Sequence, residues 1–355
     1  MNAPDCKYVY ADCAASCPPL PSARLAFEKA TYGNPNSVHR MGRNSRALLE
    51  EARTVIARCI NAKPEQIAFT PSATAACRTA ISYLNITIDS PYEHKAVEEA
   101  VGWNRTFMCG DNSTYAYMLA NNETGERYDS QVRALALGLP PGGKLSAQPT
   151  DEGPRPVFTD ATAAVGQIPV DVKWLGVHAL AAGAHKFGGL PGIGFLYLRD
   201  GITDESTFPG TPPVALAVAM ASALEYRTLH MIDANIYLAE QTDRLSKAIL
   251  DIPGAHVNTP MDKRLPNILS VRFDGVNARE LLSMLDANGV YASAGSACTA
   301  DSDEPSRVLL ASGLTEKQAL ETVRLSFCPE TKPEEFIFVA DALRRCVAQL
   351  RRLTK

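Results

Sequence analysis

The chain has 355 residues, 46% of them hydrophobic, which is enough to bury one large core and a smaller second one. Its net charge of −4 excludes nucleic-acid binding driven by charge alone, and its nine cysteines show no CxxC pair and no zinc-type Cys/His spacing, so no metal is expected. MNAPDCKYVY lacks the apolar region of a signal peptide and VALAVAMASAL (214–224) is too short to span a bilayer, so the expectation is a soluble, cytoplasmic protein with reduced thiols and no membrane partner.

In chain order, YVYAD near the N-terminus reads as a short strand and residues 22–31 as a helix. TYGNPNSVHRMG (31–42) is a turn-rich loop containing Gly33, Asn34 and Pro35. From Asn44 to Ile60 the spacing of Leu48, Leu49, Ala52, Val55, Ile56 and Cys59 predicts an amphipathic helix. Gln66 to Thr70 is a strand, and the small loop PSAT leads directly into a helix. That arrangement offers backbone N–H groups and a positive helix end to a phosphate, or is an ordinary turn capped by Ser72 or Thr74. No Walker or GxGxxG pattern accompanies it, so a nucleotide is not indicated.

ITIDSPYEHKAVEEAV (86–101) runs from strand to helix with His94 near the helix start, where a histidine can cap or lie at the surface. YAYMLANNETGE (115–126) is an apolar strand ending in Asn121, Asn122 and Glu123. A Pro/Gly-rich connection fills 138–156, and the next strand ends at Asp160. A carboxylate there lies where α/β sheets place ligands, or caps the following turn. VHALAAGAHKFGGLPGIGFLYL (177–198) reads as strand, polar turn, strand, with His185 and Lys186 in a turn rich in glycine. A lysine ending a buried strand suits Schiff-base chemistry, because desolvation lowers its pKa; the other reading is a surface lysine in a glycine-rich hairpin.

Residues 213–249 read as one or two long helices with Pro213 at a first helical position. After DIPG the pattern changes: a strand NILSVRF (267–273), a helix 278–290 closed by Gly289, helices at 306–312 and 315–320, a strand TVRLSF and a final helix from Pro333. Alternating strands and helices to about residue 245 predict an α/β fold, with a mostly parallel sheet covered on both faces. The remainder predicts an α+β layer. The loop SAGSACTADSDEPS carries Cys298 without an apolar packing partner, as a nucleophilic thiol or an incidental one.

Together these stretches resemble the cysteine desulfurases of the class V aminotransferase group, pyridoxal-phosphate (PLP) enzymes of fold type I. GNPNSVHRMG, FTPSAT, EHKAV, LANNETG, FTDAT, AHKFGGLPGIG, PNILSVRF, SAGSACTADSDEPS and VRLSF carry the resemblance, in order and over nearly the whole chain. It implies a large PLP-binding domain (15–250) with a mostly parallel seven-stranded sheet, and a small α+β domain (1–14 and 251–355) carrying the cysteine loop. It also implies roles. Lys186 would hold PLP and move the Cα proton, Asp160 would pair with the pyridinium nitrogen, and His94 would stack on the ring. Ala73 and Thr74, with His185 nearby, would bind the phosphate, Asn122 would contact the ring's 3-oxygen or carboxylate region, and Thr211 would reach a phosphate across a homodimer interface. Arg324, assisted by Asn34, would clamp the substrate carboxylate, and Cys298 would accept the sulfur of L-cysteine as a persulfide for delivery to an acceptor protein, such as an iron–sulfur scaffold.

The sequence departs from that pattern at Ala163, where the family usually has Gln, and at Gly183, where it has Ser or Thr. Cys13 replaces the usual Asn, the arginine-containing segment before Gly210 is reduced, and the region between Leu84 and Ile86 is shortened. Each lost hydrogen bond costs about 1 kcal/mol if buried and not replaced. A related lyase acting on selenocysteine and a non-catalytic scaffold remain as alternative readings at this stage.

Overall fold

The computed structural model describes residues 8–30, 33–107, 114–139, 156–201, 210–295 and 304–353. In chain order the elements are β1 (Val9–Tyr10), α1 (Pro21–Lys29), α2 (Arg40–Cys59), β2 (Ile67–Thr70), α3 (Ala73–Tyr83), β3 (Ile88–Asp89), α4 (Lys95–Phe107), β4 (Tyr115–Ala116), α5 (Asp129–Ala136), β5 (Val157–Asp160), α6 (Val172–Leu175), β6 (Ala179–Gly183) and β7 (Gly194–Leu198). There follow α7 (Val214–Leu229), α8 (Met231–Leu250), β8 (Ala255–Val257), β9 (Ile268–Phe273), α9 (Ala278–Ala287), β10 (Val290–Tyr291), α10 (Arg307–Ala311), α11 (Glu316–Leu320), β11 (Thr322–Ser326) and α12 (Pro333–Leu353).

The chain divides into two compact units. The larger comprises Cys17–Ala120 and Tyr128–Met231; the smaller comprises Met1–Ser16, Asn121–Arg127 and Ile232–Lys355. Against the expected boundaries at 14/15 and 250/251, the division falls at 16/17 and 231/232 and adds 121–127 to the smaller unit. Almost all of α8 belongs to the smaller unit, because Leu238, Leu245 and Ile249 are buried in its core. Residues 121–127 join it as well, and Glu126 bridges Arg264 there.

The larger unit is built on a sheet in the order β2-β7-β6-β5-β4-β3. The pairs β3/β4, β4/β5 and β5/β6 are parallel, while β7 runs antiparallel to both β6 and β2. Five of the six strands therefore share a direction, and their C-terminal ends collect along one edge. Seven strands were expected; six are present among the described residues, and the chain between α4 and β4 at 108–113 lies outside them. β4 is shorter than YAYMLA suggested, yet Tyr117 and Leu119 N–H groups still bond to Phe158 and Asp160 carbonyls, so the segment stays alongside β5.

β5, β6 and β7 are buried along their whole length, as strands covered on both faces must be. Ala76, Cys77, Ala80 and Ile81 of α3 and Val97, Ala100 and Val101 of α4 pack with Phe158, Ala179, Ala181 and Leu196 of the sheet. The small side chains of β6 let α3 come close. α2 begins at Arg40, four residues before the expected Asn44, because His39 caps it: Gly42 N–H donates to His39 Nδ1 at 3.2 Å. Pro213 sits one residue before α7, at its N-cap position.

The smaller unit holds a three-stranded antiparallel sheet, β11-β9-β8, with β1 paired in parallel to β10. Val9, Val271, Phe273, Leu281, Val323, Leu325, Val339 and Leu343 form its core, so the N-terminal strand is part of the C-terminal fold. β8 has no clear sequence signal, since AHV is too short to show alternation. No helix among the described residues is long and apolar enough to cross a membrane.

Gly194 is where the β6–β7 hairpin meets α3. A Cβ there would lie 2.6 Å from Ala182 O, 2.9 Å from Ala73 N and 2.9 Å from Ser72 C, all backbone atoms. Gly194→Ala is expected to destabilise the protein by about 1–3 kcal/mol, read as a lower denaturation midpoint in urea; a midpoint equal to that of the parent would contradict the close approach.

Candidate active site

The shared direction of the strands decides which side chains meet at the sheet edge of the larger unit. β2 ends at Thr70, and the turn that follows delivers Ser72, Ala73 and Thr74 to the start of α3. Ser72 is the cap: its Oγ accepts from Ala75 N–H at 3.1 Å. The cap satisfies one N–H of the first turn, and the helix start keeps its positive end and remaining amides for an anion. Gly183, at the end of β6, faces the same point; a Cβ on it would lie 3.2 Å from Ala73 Cβ and 3.5 Å from His185 Cδ2. The hydroxyl absent at Gly183 is thus absent from a wall in contact with the helix start.

β5 delivers Asp160, which is 6% exposed and accepts from Thr162 N–H at 2.9 Å. Thr162 Oγ1 is buried and has no partner among the described residues. β6, the neighbouring strand, runs on through a single 3-10 turn, Ala184–Lys186. Lys186 and His185 therefore stand just past the C-terminal end of the strand beside Asp160. Burial, together with the Lys186 charge, depresses His185 to about 4, so its ring is neutral at physiological pH.

β3 leads to His94, immediately before α4. Its carbonyl accepts from Val97 N–H and its Nδ1 accepts from Ala96 N–H at 3.1 Å. His94 thus caps the helix, and in the neutral ring the proton sits on Nε2. Asn34 makes a local turn, its Oδ1 accepting from Asn36 N–H at 2.9 Å, and Thr211 is exposed ahead of α7.

Two side chains of this unit were missed in the sequence. Gln167 is buried and reaches from one turn beyond Ala163 to donate from Nε2 to the Lys186 carbonyl at 3.5 Å. Arg227, on α7, is 4% exposed and donates from Nε to Phe187 O at 3.2 Å, bracing the turn that follows Lys186. An arginine at the end of the apolar run VALAVAMASALEYR was its only sequence signal.

In the smaller unit, Arg324 sits on β11 and is 1% exposed. Nη2 meets Asp12 Oδ1 at 2.7 Å and Nη1 donates to Asn122 O at 2.8 Å. The guanidinium expected to clamp a carboxylate is therefore held by two protein groups, and its buried Nε has no partner among the described residues. Asn122 contributes its backbone to this contact. Its neighbour Asn121 folds the turn, with Oδ1 accepting from Glu123 and Thr124 N–H groups at 2.8 and 2.9 Å. Backbone bonds in both directions join Ser293 to Arg324, so Ser293, five residues before Cys298, lies beside the arginine's strand. Cys298 itself lies outside the described residues. Glu123, buried and raised by desolvation, accepts from Ser306 Oγ at 2.5 Å.

Comparison with known proteins gives this geometry its context. The aminotransferase class-V family matches residues 9–98 and 155–337. Cysteine desulfurase IscS of Dictyoglomus turgidum is 32% identical over 98% of this chain and 96% of its own. An IscS-like cysteine desulfurase of Mycobacterium tuberculosis is 31% identical over 97% of each chain. The solved structure of a NifS-like protein superposes with a TM-score of 0.83 at 24% identity, covering 97% of this chain and 100% of that one, which establishes the shared fold. The chain belongs to the class-V aminotransferase family, among its cysteine desulfurases.

Proposed function

We propose that the protein is a PLP-dependent cysteine desulfurase, converting L-cysteine to L-alanine and passing the sulfur to Cys298 as a persulfide. The observation that carries this reading is the meeting of an uncluttered helix start, a buried carboxylate and a strand-end lysine at one sheet edge, in a chain matched along its length by cysteine desulfurases. The residues fit the cofactor. Gly183 and Gly194 let the hairpin backbone lie against the helix start, which brings its amides to the sheet edge, and buried Thr162 Oγ1 beside Asp160 awaits a partner. Ala73 and Thr74, with neutral His185 nearby, would hold the phosphate. Asp160 would hold the proton on the ring nitrogen, and Asn122 would contact the ring's 3-oxygen or carboxylate region. PLP, when bound, supplies an electron sink for negative charge at the carbon that bears the amino group.

The chain's own residues do the remainder. Lys186 Nζ would hold the cofactor and would move the substrate's Cα proton, which needs an amine able to lose its charge in a partly buried site. His94 would lie over the ring and would exchange a proton through Nε2. Arg324 orients the substrate carboxylate through donors not taken by Asp12 and Asn122, with Asn34 assisting. The Cys298 thiolate attacks the cysteine sulfur: one S–S bond forms, the C–S bond breaks, and the carbon leaves as alanine after gaining a proton. The persulfide then goes to an acceptor protein, and Thr211 reaches the phosphate of a second copy in a homodimer. We place this reaction in the cytoplasm. Nothing in the geometry favours the selenocysteine reading.

The purified protein with added PLP is expected to show a visible cofactor absorbance and to release alanine from L-cysteine; Lys186→Ala is expected to lose both. A protein that stays colourless with PLP would contradict the reading. Arg324→Lys removes the planar fork and is expected to raise KM for cysteine about 10–100-fold, with Asp12→Asn acting in the same direction but less. Steady-state kinetics check both, and an unchanged KM in Arg324→Lys would remove the arginine from the substrate site.

A further inference from the structure

Glu123 is 5% exposed and belongs to the turn that Asn121 folds. Its carboxylate lies at a junction of the smaller unit. On one side, Oε2 accepts from Ser306 Oγ at 2.5 Å. Ser306 is itself the cap of α10, its Oγ accepting from Leu309 N–H at 3.3 Å, so the carboxylate also holds the start of that helix. On the other side stands Gly295, with a φ of +57°. A Cβ on it would lie 2.8 Å from Glu123 Oε2 and 3.7 Å from Ser306 Cβ. Gly295 and Ser306 therefore meet at one carboxylate oxygen, although ten residues separate them in the chain. The junction is tied to Arg324 as well. Ser293, two residues before Gly295, is bonded to Arg324 through its backbone, and Arg324 donates from Nη1 to the carbonyl of Asn122, the neighbour of Glu123. Burial disfavours the ionised Glu123, while the Ser306 hydroxyl and the charges of Arg324 and Arg307 favour it.

We propose that Glu123 is a positioning residue for Cys298, holding Gly295 and Ser306 together beside Arg324 so that the stretch bearing the thiol leaves and returns at one fixed point. Cys298 comes three residues after Gly295, and three residues of extended chain span at most about 11 Å. Where Gly295 is held therefore bounds where the thiol can reach. Holding Ser306 at the same point limits the volume open to the chain between them, as closing any short loop does. Gly295 suits this place twice over: the carboxylate passes where a Cβ would stand, and the left-handed backbone disfavours a residue with a side chain. The consequence for sulfur transfer rests on the function proposed above, whereas the joining of the two ends does not.

Two readouts on the full chain test this. Without cofactor, an endoproteinase that cuts before aspartate has two sites in the stretch, Asp301 and Asp303, and mass spectrometry separates cuts there from cuts elsewhere. Glu123→Ala is expected to speed cleavage at these two sites about tenfold. Glu123→Gln keeps an acceptor for Ser306 and is expected to stay within about threefold of the parent. Equal cleavage of the parent and Glu123→Ala would overturn the proposal. Should Glu123→Ala fail to fold, Ser306→Ala, which removes the donor, is expected to speed the same cuts, and unchanged cleavage there would overturn the proposal equally. With PLP bound, Glu123→Ala is expected to give the parent's change in visible absorbance on mixing with cysteine, while the persulfide on Cys298 forms about 10–100-fold more slowly in a single turnover. Persulfide at the parent's rate, or both events slowed alike, would overturn the proposal. A parent protein that takes up PLP and forms no persulfide would remove the functional reading and leave the cleavage rates to decide on the junction at Glu123.

Discussion

The backbone of the β6–β7 hairpin lies against the first residues of α3, and the chemistry of the larger unit depends on that approach. Gly183 and Gly194 face each other across the two strands, and both face Ala73. Side chains there would push the helix start away from the sheet edge. With hydrogen atoms alone in that space, the amides at the start of α3 come within reach of the same point as the residues that follow β6. The direction of the strands does the rest, because five parallel C-terminal ends put the turn before α3, His94, Asp160 and Lys186 along one edge. The site is assembled by topology and drawn together by the lack of two side chains.

Buried charge is handled differently in the two units. In the smaller one, Arg324 is nearly inaccessible and is stabilised by an ion pair with Asp12 and a carbonyl of Asn122. A buried guanidinium without partners would be strongly destabilising, while a paired one is roughly neutral for stability. The pair therefore serves orientation: with the Asn122 carbonyl it fixes the plane of the fork. In the larger unit buried Arg227 donates to the Phe187 carbonyl, and His185 is kept neutral by losing its proton through desolvation.

The order of elements was legible because strand and helix periods alternate cleanly up to about residue 245, and the strand ends carrying Asp160 and Lys186 were visible as apolar runs that stop at polar residues. What stayed hidden was long-range. Asp12 lies 312 positions from Arg324, and nothing local in YVYAD marks it as an ion-pair partner. Gln167 and Arg227 act through backbone carbonyls near Lys186, and such contacts leave no pattern in spacing. Glu93 was visible only as the residue before His94; its bonds to Ser90 Oγ and Met118 N–H leave no pattern in spacing either. The placement of α8 also escaped, since periodicity shows that a helix has an apolar face but not which core receives it.

The proposed transfer of sulfur from cysteine to Cys298 is read most directly by mass spectrometry of the Cys298 peptide after reaction with L-cysteine and PLP. The expected result is a peptide heavier by one sulfur atom, removed by a thiol reductant, with one alanine formed for each persulfide in the first turnover. Alanine formed at full rate with the Cys298 peptide unmodified, or in a Cys298→Ser variant, would contradict the account.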